Sequence, residues 1–250
     1  MKENLRDYGG ILPCGGKGTR LLELTGDSVP KSLFKVNGKE LIRYSIDLFN
    51  PKNVKTIVFA INHKGDQIKQ WLTTQELPYL VYFSGQTEPG VMGSIVAGSH
   101  NIAEDAMIAC NTDEIRLGLN LQDVIGFHQK HETLVTMVTT YTNHLNRHRL
   151  IYINPRDNRI INTRLKPEEY KNHPEKPGLV NTGFLIMDKR ALEYFDPQHG
   201  TDWNGIIDPL CDARQISAYI DRTIAYFNVG TPEEYQEAEN YFNSSFAAAS

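Results

Sequence analysis

The chain has 250 residues, with 26 Lys+Arg against 30 Asp+Glu, a formal charge of −4, and 40% hydrophobic and 22% charged residues. That is the composition of a globular protein long enough to bury a sizeable core. Mild acidity without a Lys/Arg run excludes the electrostatic footprint of a general nucleic-acid binder, and no apolar stretch approaches the roughly 20 residues that span a bilayer.

The N-terminus, Met1 to Asp7, has no apolar h-region and does not read as a secretory signal. Gly10-Ile11-Leu12 is a first strand leading into a glycine cluster. Between Lys39 and Asn50, Leu41, Ile42, Ser45, Leu48 and Phe49 fall on one face at helical spacing. Lys55 to Ile61 is a β-branched strand, Asp66 to Thr74 a helix, Tyr79 to Phe83 a strand, and Gly93 to Ile102 a helix. Ala106 to Cys110 is a short apolar strand, followed by a helix over Leu121 to His131. Repeated β-α units of this kind predict a mostly parallel sheet sandwiched by helices, an α/β Rossmann-like fold. Beyond about residue 132 the pattern becomes α+β, with strands at Leu134–Tyr141, Leu150–Ile153, Arg159–Thr163 and Val180–Met187. A polar, proline-bearing segment, Leu165 to Gly178, interrupts them, and helices return at Lys189–Phe195 and Pro232–Phe242. The expected organisation is one domain over 1–242, with halves at about 9–131 and 132–242, and a loose tail over 243–250.

Cys14, Cys110 and Cys211 are odd in number and far apart, with no C-x-x-C, so neither a zinc knuckle nor a disulfide framework is indicated. A reducing, cytoplasmic setting is expected, with no nucleic acid and no membrane among the partners.

The strongest local signal is Leu12-Pro13-Cys14-Gly15-Gly16-Lys17-Gly18-Thr19-Arg20-Leu21, at the end of the first strand. Its glycines leave backbone N–H groups uncovered by any Cβ, so a phosphate chain can lie close to the main chain. It is not a Walker A loop, because no G-K-[ST] closes it. It is not a dinucleotide fingerprint either, because Leu21 stands where the third glycine belongs. A bare glycine turn needs no ligand; Arg20 and the lysine of Val29-Pro30-Lys31-Ser32-Leu33 add two cations beside the cradle.

With these residues the chain resembles the sugar-phosphate nucleotidylyltransferases, whose pattern is G-G-x-G-T-R-L, then P-K-[PS]-L, then V-x-G-K. Gly15 to Leu21, Pro30 to Leu33 and Val36-Asn37-Gly38-Lys39 supply it in order. Gly90-Val91-Met92-Gly93 stands for G-T-x-G, Asn111-Thr112-Asp113 for N-G-D, Asn181-Thr182-Gly183 for N-x-G, and Val229 to Tyr235 for I-G-T-P-E-D-Y. The resemblance spans about residues 9 to 240 and implies a GT-A-like nucleotidyltransferase fold with an added α+β sugar-binding portion. It implies the reaction of an NTP with a sugar 1-phosphate, giving an NDP-sugar and pyrophosphate by Mg-assisted in-line attack. Positioning and electrostatics would then dominate catalysis, with no covalent enzyme intermediate.

Carried over residue by residue, the resemblance puts Leu12, Cys14, Gly15, Gly16, Gly18 and Thr19 on the nucleotide, with Gln86, Gly90 and Gly93 toward the base. Arg20 would grip the departing pyrophosphate, Lys31 the α-phosphate region, and Asp113 a Mg²⁺ (or Mn²⁺) ion. Lys166, Asn181 and Gly183 would meet the sugar phosphate, with Lys176 the other lysine candidate. Asn228 stands where the family has aspartate as second metal ligand, so either the metal site is weaker or Glu114 or substrate phosphates complete it. Thr112 and Val91-Met92 are further departures, which leave nucleotide identity open.

Two histidine pairs, His128/His131 and His144/His148, have metal-compatible spacing but no third ligand, and read as surface histidines. Trp203 reads as a buried core residue before it reads as a sugar contact. No hexapeptide β-helix follows the last helix, so the expectation is a stand-alone transferase unit. Three other readings stay beside the transferase: a catalytically weakened nucleotide-binding regulatory relative, which Asn228 favours; a phosphocholine-type cytidylyltransferase; and a glycosyltransferase, which the missing D-x-D argues against. Among transferases the spacing leans to hexose- or heptose-1-phosphate guanylyl- and uridylyltransferases; oligomeric state is not legible.

Overall fold

A computed structural model of the chain describes residues 7–26, 28–85, 90–142, 144, 149–165 and 178–247. The strands are β1 (Tyr8–Pro13), β2 (Lys35–Val36), β3 (Lys39–Glu40), β4 (Val54–Ala60), β5 (Leu80–Ser84), β6 (Ala106–Cys110), β7 (Glu114–Leu117), β8 (Val135–Thr142), β9 (Leu150–Ile153), β10 (Ile160–Leu165), β11 (Gly178–Asp188), β12 (Ile216–Ile220) and β13 (Ala225–Asn228). The α-helices are α1 (Leu22–Thr25), α2 (Leu41–Ile46), α3 (Gly65–Thr73), α4 (Gly90–Ser99), α5 (Leu121–Lys130), α6 (Asn204–Asp212) and α7 (Pro232–Ala247).

Among the described residues, nine strands form one sheet. One flank, β5-β4-β1-β6, is parallel throughout. The antiparallel β11 follows β6 and then divides its pairing between β8 and β9. β8 pairs in parallel with β12, and β9 antiparallel with β10. This is the mostly parallel α/β sheet with an α+β extension that the alternating units predict.

The central strands are apolar on both faces, as strands covered by helices must be. Along β6, Ile108 and Cys110 face one layer while Met107 and Ala109 face the other; β11 repeats this with Phe184 and Ile186 against Leu185 and Met187. The first layer packs on Ile42 and Ile46 of α2, Ile68 and Leu72 of α3, and Val124 and Ile125 of α5. The second packs on Met92 and Ile95 of α4 and on Ile206 and Leu210 of α6. A third cluster joins Leu21, Val36, Leu41 and Tyr44 to Ile115, Val229 and Ala238. It pins α7 and the β7–β13 ribbon against the segment that follows the glycine loop, bringing together motifs two hundred residues apart.

Several boundaries differ from the sequence expectation. The helix expected over Lys39–Asn50 is only Leu41–Ile46, because Lys39–Glu40 turns back on Lys35–Val36 as a hairpin. Asn37 (φ 50°) and Gly38 (φ 72°) sit at its tip, the positive-φ pair that a two-residue hairpin favours. The tail expected over 243–250 is helical to Ala247, since Asn243 to Ala247 holds no Gly or Pro to stop α7. His128 is buried, its Nδ1 2.9 Å from Thr136 Oγ1, because α5 turns that face onto β8; it is not a surface histidine. Of the other three, His131 is half-buried and His144 exposed, while His148 lies outside the described residues. The strands β7, β12 and β13 and helix α6 are additions to the expected elements. No described helix is long and apolar enough to cross a membrane.

Cys14, Cys110 and Cys211 are all buried and free. A thiol reagent is expected to find no reactive cysteine in the folded protein and three after denaturation; fast labelling of native protein would show that this packing is wrong.

Candidate active site

The parallel strands β1, β4 and β6 end at one edge of the sheet. The chain runs from β1 out to β4 and β5, then returns to place β6 on the other side of β1. Open α/β sheets leave a crevice at such a switch point, outside the strand carboxyl ends. Here the crevice is a cleft of about 620 Å³, walled by Pro13 to Lys17, Lys31, Ser32, Asn62, Gly90, Val91, Ser94, Asn111 to Asp113 and Trp203.

Two strand ends are tied together at its floor, where Thr112 Oγ1 donates to the Pro13 carbonyl at 2.8 Å. Lys31 Nζ meets Asp113 Oδ2 at 2.6 Å. The lysine side chain is 11% exposed and the aspartate 35%, so the cation is largely enclosed and the carboxylate still opens to the cleft. The loop glycine Gly18 lies against the Lys31 stem: a Cβ there would come within 3.0 Å of Lys31 Cβ. Burial holds the Cys14 thiol far above the ordinary thiol range, so the sulfur stays neutral beside the loop.

Arg20 approaches from the side of α7. Its Nη2 lies 3.3 Å from where a Cβ of Gly230 would be, and Asn228 Oδ1 lies 3.5 Å from the same point. Val229 N donates to the Asp113 carbonyl at 2.9 Å, so Arg20, Asn228 and Asp113 belong to one neighbourhood.

Beneath Asp113 is a buried charge network that local sequence did not reveal. Glu114 Oε2 accepts from Arg116 Nη2 at 2.9 Å, and Glu114 Oε1 from Asn111 Nδ2 at 3.0 Å. The Arg116 side chain is fully buried, and its remaining N–H groups reach the Thr182, Asn111 and Glu114 carbonyls. Burial pushes the Glu114 carboxyl up while Arg116 pulls it down. Glu114 is thus paired with Arg116 and Asn111, which weighs against the alternative in which it completes a metal site and leaves a weaker site or one completed by substrate phosphates.

The Asn181-Thr182-Gly183 motif is a break in β11, where its pairing with β8 shifts register between Asn181 and Leu185. Gly183 (φ 63°) closes the break: its N–H donates to Asn181 Oδ1 at 2.8 Å, and its carbonyl accepts from Asn111 N at 2.9 Å. A Cβ at Gly183 would stand 2.5 Å from both Asn111 Nδ2 and Glu114 Oε2. Asn181 instead lines a second cavity of about 210 Å³ with Arg149, Thr163, Asp202 and Trp203.

Trp203 walls both cavities and is only partly buried, so it is not the buried core residue expected. Its Nε1–H donates to Asn111 Oδ1 at 3.2 Å, which holds the indole at the cleft wall.

The remaining expected residues divide by position. Cys14, Gly15, Gly16 and Gly90 line the cleft. Gly90 (φ 80°) leaves room only for hydrogen, with the Thr201 carbonyl 2.1 Å from a hypothetical Cβ. Leu12 is fully buried in the core, with its carbonyl accepting from Cys14 Sγ, so its side chain is structural. Thr19 is exposed in a 3-10 turn and Gly93 is buried within α4. Gln86, Lys166 and Lys176 lie outside the described residues. Lys17, Ser32, Asn62, Ser94 and Trp203 are cleft residues that the motifs did not assign. Asn62 was within reach of a rule, since it lies two residues beyond the carboxyl end of β4.

Residues 9–245 match the family model described as nucleotidyl transferase. The mannose-1-phosphate guanyltransferase of Schizosaccharomyces pombe is 25% identical over 231 residues, 90% of this chain and 61% of that protein. The D-glycero-alpha-D-manno-heptose 1-phosphate guanylyltransferase of Campylobacter jejuni is 21% identical over 225 residues, 90% of this chain and 96% of that protein. This chain therefore spans somewhat under two thirds of the S. pombe relative but nearly all of the C. jejuni one. Among solved structures, HddC from Yersinia pseudotuberculosis complexed with GMP-PN superposes with a TM-score of 0.72 at 22% identity, covering 94% of this chain and 99% of that chain. A putative glucose-1-phosphate thymidylyltransferase from Bacillus anthracis gives 0.76 at 17% identity, covering 94% of each. These superpositions establish the shared fold.

Gly183→Ala is expected to destabilise the protein by about 2–4 kcal/mol, from the positive φ and the clash with the Asn111–Glu114 pair. Urea unfolding measures it; a midpoint within error of wild type would show that the break in β11 is not under this constraint.

Proposed function

We propose, for a chain that belongs to the nucleotidyl transferase family, that the cleft binds a nucleoside triphosphate and joins it to a sugar 1-phosphate. A phosphate oxygen of the sugar phosphate attacks the α-phosphorus, a new P–O bond forms there, and the bond to the β-phosphate oxygen breaks. The products are an NDP-sugar and pyrophosphate. Both reactants are anions, so the obstacles are charge repulsion and alignment. The observation that carries this reading is the Lys31–Asp113 pair at 2.6 Å, set across a glycine-walled cleft at the switch point of the sheet.

In this reading the Gly15–Gly18 amides cradle the triphosphate, Lys31 neutralises the attacked phosphate, and Arg20 holds the pyrophosphate as it leaves. The second cavity, with Asn181 and Arg149, takes the sugar side, and Trp203 stands between the two. The donor set suits a hard divalent cation that draws most of its shell from phosphate and water. Asp113 offers one open carboxylate, and among the described residues no three His, Cys, Asp or Glu side chains gather as an all-protein cage. Asp113 and the Asn228 amide oxygen would hold Mg²⁺ or Mn²⁺ with those phosphates, and the bound ion would supply neutralisation of the polyphosphate charge. The guanyltransferase names of the S. pombe and C. jejuni relatives support GTP, with mannose 1-phosphate or a manno-heptose 1-phosphate, as the substrates to test before others. Three buried free thiols support a reducing, cytoplasmic setting.

A second reading, a regulatory relative that binds nucleotide without turning it over, is favoured by the neutral amide of Asn228. Pyrophosphate release across a panel of NTPs and sugar 1-phosphates separates the two. Release with at least one pair is expected; nucleotide binding without release at saturating Mg²⁺ would sink the transferase.

Within an active enzyme, Lys31→Ala is expected to lower kcat about 100-fold. Gly16 has nothing within 4 Å of a hypothetical Cβ. Gly16→Ala should therefore leave the melting temperature within about 2 °C while weakening triphosphate binding about tenfold. Equal losses of stability and binding would remove the phosphate-cradle role. Asn228→Asp should lower the Mg²⁺ concentration for half-maximal rate, and an unchanged titration would place residue 228 away from the metal.

A further inference from the structure

Ser32 is 3% exposed and borders the large cleft, yet among the described residues its hydroxyl has no hydrogen-bond partner. A buried hydroxyl left unpaired is unfavourable, and native proteins rarely keep one without a reason. The nearest carbonyls along the chain are already engaged: Pro30 O accepts from Leu33 N at 2.9 Å, and Lys31 O from Phe34 N at 3.0 Å. Two other buried hydroxyls at the site are satisfied within the protein, Thr112 by the Pro13 carbonyl and Thr182 by the Val138 carbonyl, whereas Ser84 at the end of β5 shares the unpaired state of Ser32 but does not line the cleft. Ser32 also follows directly the lysine whose ammonium is fixed on Asp113.

We infer that Ser32 is a nucleotide-contacting residue, whose Oγ–H donates to an acceptor atom that the bound nucleotide brings into the cleft. The inference rests on the reading of this cleft as a nucleotide site and adds to it a donor beside Lys31. Proline, the alternative at this place in the P-K-[PS]-L motif, has no hydroxyl, so the contact belongs to the serine form of the loop. An unpaired hydroxyl in the free protein and a paired one in the complex make opposite demands on the same side chain. Removing it relieves the free state and weakens the bound one.

The test is Ser32→Ala in the full chain, with calorimetric binding of GTP, ATP, UTP, CTP and dTTP in Mg²⁺ and thermal unfolding of the free protein. For the nucleotide that wild type binds best, Kd is expected to rise about tenfold. The melting temperature of the free variant should stay at the wild-type value or rise by up to about 4 °C. The matching nucleoside, titrated in parallel, locates the acceptor: a loss that persists with it puts the acceptor on ribose or base, and a loss seen only with the triphosphate puts it on phosphate. Binding within about twofold of wild type overturns the inference. A fall in the melting temperature of the free variant does so too, because it means the hydroxyl was already paired. Wild-type protein that binds none of the five nucleotides overturns the nucleotide reading and this inference with it, whereas wild type that binds while the variant binds equally overturns this inference alone.

Discussion

The site depends on one buried ion pair. Arg116 is enclosed between the end of β6 and the break in β11, where its guanidinium holds the Glu114 carboxylate and three backbone carbonyls. A charge taken this far from water persists only when nearly every donor finds an acceptor. Satisfying that demand fixes the backbone of Asn111 to Glu114 from below. Asp113 consequently leaves β6 in one direction only, toward Lys31, and Asn111 is held with its amide between Glu114 and Trp203.

Two layers of charge follow from this arrangement. The lower layer, Glu114 with Arg116, is neutral as a pair and buried. The upper layer, Lys31 with Asp113, opens to the cleft, so each partner is within reach of an incoming ion. Chemistry between two phosphates needs cations held in place before the anions arrive, because reorganising charge during the reaction would raise the barrier. A packed lower layer is what makes an upper layer of fixed position possible. The third apolar cluster does comparable work from the side, since burying Leu21 and Val229 together sets Arg20 next to Gly230 and Asn228.

Membership of the nucleotidyl transferase family accounts for the order of the motifs and for the sheet. Three further positions shape the site of this chain. Asn228 puts a neutral amide where a carboxylate would bind a hard cation more strongly. Trp203, bonded to Asn111, partitions the space into two cavities, and Ser32 brings a hydroxyl to the wall of the larger one. These positions lie on different elements and converge only through the fold.

Much was legible in the residues taken alone. Short continuous apolar runs such as Ala106–Cys110 and Leu150–Ile153 gave their strands to the residue, because a strand buried on both faces is written in a few neighbouring positions. The glycine loop and the Pro30–Leu33 and Asn111–Asp113 motifs announced a site for the same reason, each being a short segment whose chemistry is local. What the residues alone could not settle were pairings between distant segments. Glu114 looked available to a metal until Arg116 and Asn111 were seen to hold it, and His128 looked exposed until α5 was laid on β8. Asn181-Thr182-Gly183 also has a backbone role that its residues alone did not announce, since Gly183 closes a break in β11 against Asn111. Only tertiary structure decides such matters, since a polar side chain's partner is set by which elements the hydrophobic layers press together, and that depends on the whole chain at once.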